Sequence, residues 1–152
     1  MGMTMATPYK EINDYIDGRL SRTLAVIKRK LQRLGLQAVA YVRDRGPEES
    51  WYDHTGNLRS SIGYCVVDAG KMSSKGNLNQ VAEGHEGVSE GNKYLNKLAT
   101  EMAVKYPTST ILIIEAGMEY AAYVEAMENK DVLASARHIV EKEIAKMRAG
   151  LA

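Results

Sequence analysis

The sequence predicts an α+β fold in which a long N-terminal helix and a C-terminal helix pack on a small, mainly antiparallel β-sheet. Three observations predict this class. Apolar residues recur at helical spacing in the first third of the chain, strand-like segments follow, and helical spacing returns near the C-terminus. Because 152 residues are the usual length of one domain, we expect a single domain over residues 1–152.

The clearest periodicity lies in residues 9–44, after an N-terminal tail at 1–8. The spacing between apolar positions averages about 3.75 residues, close to the helical 3.6. A helix of this length would measure on the order of 50 Å, which is longer than a domain of this size can cover alone. The apolar positions are Ile12, Ile16, Leu20, Leu24, Ile27, Leu31, Leu34, Ala38 and Val42.

The middle of the chain predicts a strand and then a glycine-rich segment. Residues 58–67 alternate as a strand with two usable faces, after a short helical turn at 56–60. Residues 70–92 contain five glycines, and we expect either a hairpin with a long tip or an unstructured arm.

The last third predicts a helix, a strand and a helix. Tyr94, Leu95, Leu98 and Met102 lie at helical spacing within 93–105. The β-branched content of residues 110–114 predicts a buried strand. Asn129 or Asp131 is expected to cap the final helix.

Charge is unevenly spread along the chain. Residues 8–45 carry a net charge of +5, residues 46–129 carry −6, and residues 130–152 carry +2. Opposed segments of this kind favour a protein that packs against copies of itself. The alternative is a nucleic-acid-binding module that uses the basic face of the first helix. That face is formed by Lys28, Arg29, Lys30 and Arg33.

Several classes of protein are not expected. No uninterrupted aliphatic run is longer than four residues, as at 111–114, so no membrane-spanning helix is predicted. The N-terminus lacks the apolar stretch of a signal peptide. The lone Cys65 allows no intrachain disulfide and is expected to be a buried thiol of a chain that folds inside the cell.

No catalytic, cofactor or metal site is expected. A small hydrolase would have to use His54 and His85, each with an adjacent acid, but adjacency on a loop defines no acid–base geometry. A nucleophile elbow and a phosphate-binding glycine loop are both missing from the sequence. The chain is therefore expected not to be an enzyme.

Two segments together point to a family. One is Asp-His-Thr-Gly-Asn-Leu-Arg-Ser-Ser-Ile at 53–62, and the other is Gly-Met-Glu-Tyr-Ala-Ala-Tyr-Val-Glu at 117–125. In this order, after a long helix, they resemble the head–tail joining and tail-completion (neck) proteins of lambdoid-type long-tailed phages. The residues that carry the resemblance, and that are candidates for subunit contact, are Thr55, Gly56, Leu58, Arg59, Ser61, Ile62, Tyr120, Tyr123 and Glu125.

The residue types of both motifs suit the positions that the resemblance gives them. Thr55 and Gly56 are suited to turn the chain so that Leu58 and Ile62 enter the core while Arg59 points outward. Tyr120 and Tyr123 are three residues apart, so a helix places both rings on one face, with Glu125 beside them.

The resemblance implies a structural protein without catalysis. Such proteins assemble as homo-oligomeric rings between the capsid connector and the tail tube or its terminator, and DNA passes through the lumen as cargo. The implied location is the neck of the virion, with assembly in the cytoplasm of the bacterial host. Another phage or prophage minor structural protein, such as a tail terminator, is the nearest alternative.

Overall fold

The predicted α+β architecture is confirmed, with the long N-terminal helix and the C-terminal helix both packed on an antiparallel sheet. The computed structural model describes residues 9–45, 55–119, 121 and 132–151. The polar connection around 47–54, the second tyrosine motif and the expected caps at Asn129 and Asp131 lie mostly or wholly outside these ranges. The elements are α1 (Tyr9–Asp44), α2 (Asn57–Ser60), β1 (Ile62–Asp68), β2 (Lys71–Lys75), α3 (His85–Lys105), β3 (Thr110–Ala116) and α4 (Ala134–Leu151).

The described sheet has three strands in the order β2-β1-β3, and both neighbouring pairs are antiparallel. In the β1–β3 pair, Ile62 lies opposite Ala116 and Asp68 lies opposite Thr110. The turn between β1 and β2 consists of Ala69 and Gly70, which both have positive φ. This two-residue geometry matches the right-handed twist of a hairpin.

β1 is buried on both faces, which explains its almost uninterrupted apolar sequence. On one face, Ile62 and Tyr64 pack against α1 and α4. On the other, Cys65 and Val67 pack against α3. The domain is therefore built of three layers, with the sheet between α3 and the α1–α4 pair.

The prediction of a loop or arm over 70–92 is wrong for most of that segment. Residues 71–75 form β2, and α3 begins at His85, eight residues before the predicted start at 93. The glycines that favoured a loop instead allow α3 to lie close to the backbone of residues 57 and 61. A Cβ at Gly87 would be 2.0 Å from the Asn57 carbonyl oxygen, and one at Gly91 would be 2.7 Å from that of Ser61.

The helix predicted over 9–44 is confirmed as α1, which measures about 54 Å at 1.5 Å per residue. Only its C-terminal part lies in the core, where Leu34, Ala38 and Val42 are buried. No helix within the described ranges is both long and apolar enough to cross a bilayer.

Candidate functional site

The apolar stripe of α1 is covered along only part of its length. From Leu31 onward its residues are buried against the sheet and α4. None of the residues from Tyr9 to Lys30 is buried, although the apolar positions continue on the same face of the helix. The covered and uncovered parts therefore share one sequence pattern and differ in what lies against them.

The length of α4 explains where the cover ends. Ala136, near the start of α4, packs in the core with Val42 of α1. At the other end of α4, Met147 and Gly150 line a cleft with Thr23 of α1, so the two helices run antiparallel. The 14 residues that precede Thr23 extend about 21 Å beyond this cover. We call residues 9–22 the α1 overhang.

Large apolar side chains are exposed along and beside the overhang. Tyr9 is 79% exposed, Tyr15 is 62% exposed and Leu20 is 56% exposed. Those on one face of the helix leave on the order of 500 Å² uncovered, the size of the largest patch on a typical monomer, which is often functional. They form the exposed stripe, which consists of Tyr9, Ile12, Ile16, Leu20 and Leu24, while Tyr15 and Val26 are exposed beside it.

The predicted basic face of α1 is divided between two environments. The ammonium of Lys28 lies 3.1 Å from the carboxylate of Asp68 at the end of β1, so it is engaged within the chain. Lys30 and Arg33 line a cleft between α1 and α4, together with Lys146 and Glu143. Arg29 is exposed on α1. Lys28 is therefore engaged within the chain, whereas Lys30 and Arg33 keep a positive charge in the cleft beside the Lys146–Glu143 ion pair.

The motif at 55–62 forms a buried junction. Gly56 has a φ of +78°, and a Cβ there would be 2.0 Å from the Val81 carbonyl oxygen. Leu58 and Ile62 are buried in the core, as predicted. Ser61 is also buried, and its hydroxyl donates to the Leu58 carbonyl at 2.7 Å. This segment positions the start of β1.

Two further side chains connect this motif to its surroundings. The Thr55 hydroxyl accepts a hydrogen bond from the Asn57 N–H at 3.2 Å. The Asn57 side-chain oxygen accepts one from the Gly87 N–H in the first turn of α3, at 3.0 Å. The conformation of the motif therefore sets the position of α3 on the sheet.

The outward orientation predicted for Arg59 is wrong. Its side chain is half-buried, and its Nη1 donates to the Arg43 carbonyl at 2.7 Å. That carbonyl belongs to the last turn of α1, where backbone oxygens lack partners within the helix. Arg59 therefore ties the turn motif to the end of α1, which a sequence pattern without tertiary contacts does not reveal.

The remaining candidates lie at the surface or outside the described ranges. His85 is exposed in the first turn of α3, whereas His54 is not among the described residues. Tyr120, Tyr123 and Glu125 also lie outside them. Within 9–45, 55–119, 121 and 132–151, no three His, Cys, Asp or Glu side chains are grouped to hold a metal ion.

Glu115 on β3 is a buried acid that the sequence analysis did not identify. It is 2% exposed, and neither carboxylate oxygen has a hydrogen-bond partner. Burial raises its pKa to about 8, although the positive charge of Lys75 opposes the shift. The available signal was the alternation of β3, which places Glu115 on the same face as Ile113.

Cys65 is a buried thiol, as predicted. Burial raises its pKa to about 11, and the nearby Glu115 acts in the same direction while Lys75 opposes it. A thiol in this environment is not ionised at neutral pH and is unreactive.

Comparison with protein-family models, with curated proteins and with solved structures found no match.

Proposed function

We propose that this chain is a structural subunit of the head–tail connection of a long-tailed bacteriophage, which assembles with copies of itself into a ring and performs no catalysis. The observation that carries the proposal is the exposed stripe of α1. Its apolar pattern continues that of a core-facing helix, yet the described part of the chain leaves it in solvent.

A second copy of the chain is the occupant that this stripe favours. The area it offers is more than half of the roughly 800 Å² that each partner contributes to a standard protein–protein interface. Burial of that area at about 25 cal/mol per Å² is a large driving force, even after the entropy of association is subtracted. Because α1 is one continuous helix, its first 14 residues do not fold back onto the domain that holds its last 14.

The resemblance supplies the phage context. A long helix is followed by the Thr55–Ile62 turn, a central strand and a final helix, in the order expected of neck proteins. The buried hydrogen bonds of the turn give this motif a role in holding that architecture together. The proposed partners are other copies of the chain, the capsid connector, and the tail tube or its terminator.

The distribution of charge supports a head-to-tail arrangement of subunits. The +5 of residues 8–45 and the −6 of residues 46–129 would attract each other between neighbours. Contacts between two different surfaces generate a ring when the rotation closes. DNA would pass through the lumen as cargo.

Nucleic-acid binding by the basic face of α1 is the competing function. It is less well supported, because Lys28 is paired with Asp68 and only Lys30 and Arg33 remain as the basic pair beside the Lys146–Glu143 ion pair. Steep loss of affinity with added salt would be its signature.

Electron microscopy of the concentrated full-length protein, combined with a salt titration of DNA binding, tests the proposal. We expect closed rings with a central lumen and weak DNA binding. Monomers at every concentration, together with tight and steeply salt-dependent DNA binding, would contradict the proposal and favour the competing function.

A further inference from the structure

A surface with charge of almost one sign lies on α1, away from the exposed stripe. The sequence of α1 contains no acidic residue between Gly18 and Arg43. The helical period places five exposed cations of this segment within a sector about 100° wide, nearly opposite Leu20 and Leu24. Together with one lysine of α4 they form the outer cationic face, which consists of Arg19, Arg22, Arg29, Lys30, Arg33 and Lys146.

α4 extends this face to one side of α1. Lys146 lines a cleft together with Lys30 and Arg33, and it also lines a second, smaller cleft with Lys30. Glu143 is the acid at the first cleft, and its carboxylate lies 3.0 Å from the Lys146 ammonium. Three positive charges therefore stand against one negative charge, which leaves the cleft with a net positive charge.

The charges of the outer cationic face are not balanced along α1. Arg19 and Arg22 are three residues apart, and like charges at this spacing repel each other on a helix surface. Arg29 and Arg33, four residues apart, repel each other in the same way. α3 shows the opposite arrangement, since its three acids and three lysines are interspersed. The mixed pattern of α3 is typical of a solvated surface, whereas the pattern of α1 favours a polyanion as partner.

Acids in the rest of the chain are too distant to neutralise the start of this face. Residues 1–8 contain none. The described residues that flank 46–54 and 122–131 lie near Val42, at the other end of α1. Val42 is 20 residues from Arg22, about 30 Å along the helix. About ten residues anchored at both ends extend at most about 20 Å from their anchors.

We propose that the outer cationic face of α1 and α4 lies against the phosphate backbone of duplex DNA and does not read its sequence. Four of its six cations are arginines, and the planar guanidinium group matches the oxygens of a phosphate. Arg19 and Arg33 are 14 residues apart, about 21 Å, a length that runs beside about six phosphates of one strand.

The inference rests on the proposed function for its setting, because the ring brings one polyanion to the chain, the DNA in its lumen. A backbone contact of this kind is weak for one chain, with a Kd on the order of 10⁻⁴–10⁻⁶ M at physiological salt. Several copies in a ring raise the total affinity without new contacts. A weak contact without sequence preference also leaves the DNA free to slide.

Fluorescence anisotropy of a labelled duplex, titrated with the full-length protein, tests the inference. The double variant Arg22→Gln/Arg29→Gln removes two exposed charges, and glutamine is a good helix former. At low salt we expect this variant to bind DNA at least about tenfold more weakly than the parent. The slope of log affinity against log salt concentration is expected to become shallower by about 1.8, the value for two lost phosphate contacts.

A matched control removes two exposed charges from α3, which lies on the other side of the sheet. Lys93→Gln/Lys97→Gln lowers the net charge by the same amount and is expected to weaken DNA binding by less than about threefold. Circular dichroism verifies that both double variants are folded. Equal losses of affinity in the two variants would mean that only the net charge matters, and would overturn the inference.

Two further probes test the kind of partner. Duplexes of unrelated sequence are expected to bind the parent equally well, and a strong preference for one of them would overturn a pure backbone contact. Vesicles of phosphatidylcholine and phosphatidylserine offer phosphate and carboxylate on a membrane surface. Tighter binding to these vesicles than to DNA, lost in Arg22→Gln/Arg29→Gln, would overturn the inference in favour of a membrane.

Light scattering separates the inference from the proposed function. Arg22→Gln/Arg29→Gln is expected to assemble as the parent does, because these arginines lie away from the exposed stripe. A folded variant that no longer assembles would place the arginines in a subunit contact, which overturns the inference but not self-assembly. A parent that stays monomeric, while this variant alone loses DNA affinity, would support the DNA contact and contradict the proposed function.

Discussion

The two parts of α1 share one sequence pattern and have different surroundings. Leu34 is 4% exposed in the covered part, whereas Leu20 is 56% exposed in the overhang, although both lie on the same face. Apolar periodicity therefore identifies a helix and its apolar face, but it does not show whether other residues of the chain cover that face. Because the described part of the chain covers only one of the two parts, we infer a partner for the overhang.

The largest expected effect comes from shortening the same side chain in each part. Leu34→Ala opens a cavity in the core and is expected to destabilise the chain by about 2–5 kcal/mol. Leu20→Ala is the matched control, and it is expected to change the stability of dilute protein by less than about 0.5 kcal/mol. Urea unfolding at a concentration below assembly measures both. Equal losses would mean that the overhang is already covered in one copy.

A second prediction concerns the covered side of the molecule, where Glu115 is a buried acid without a hydrogen-bond partner. Its pKa rises from 4.5 in the unfolded chain to about 8 in the folded one, so the folded state binds the proton more tightly. The stabilising contribution is complete below pH 4.5 and is lost as the pH rises to 8.

Glu115→Gln tests the direction of this pH dependence. At pH 8 the variant is expected to be more stable than the parent by on the order of 3 kcal/mol, because the glutamine carries no charge to desolvate. At pH 4 the difference should nearly vanish. Thermal unfolding at both pH values measures it, and a variant that is less stable at pH 8 would show that the carboxylate is paired.

The smallest expected effects come from a matched pair of glycines. A Cβ at Gly35 in the covered part would be 2.4 Å from the ring of Tyr64, so Gly35→Ala is expected to cost about 1–3 kcal/mol. A Cβ at Gly18 in the overhang would meet only the end of the Arg22 side chain, at 3.6 Å. Gly18→Ala is therefore expected to stabilise α1 by about 0.5–1 kcal/mol.

Unfolding curves of the two glycine variants measure both changes in stability. Opposite signs would agree with one packed and one open part of the helix. Destabilisation by both variants would indicate that the overhang packs against its own chain.

Local patterns predicted the elements that depend on local sequence. The period of residues 9–44 gave α1 almost to the residue, and the β-branched run at 110–114 gave β3. The alternation at 58–67 gave a strand with two usable faces, but β1 begins only at Ile62 because residues 57–60 form α2. In each case one periodic signal was enough, since the segment has a single dominant apolar pattern.

Tertiary contacts decided what the sequence analysis missed. Gly87 and Gly91 lie in α3, where the lack of a side chain lets the helix approach the backbone of other residues closely. A glycine-rich sequence alone does not distinguish such a helix from a loop. Arg59 turns inward because the end of α1 offers it a carbonyl.

Self-association through the exposed stripe of α1 is measured most directly by light scattering across a wide concentration range. Leu36 is the matched control for Leu20, because it is 59% exposed on the opposite face of the same helix. We expect the mass of the parent and of Leu36→Asp to rise with concentration, while Leu20→Asp stays at the mass of one chain. A Leu20→Asp variant that assembles as readily as the parent would contradict an interface at the exposed stripe.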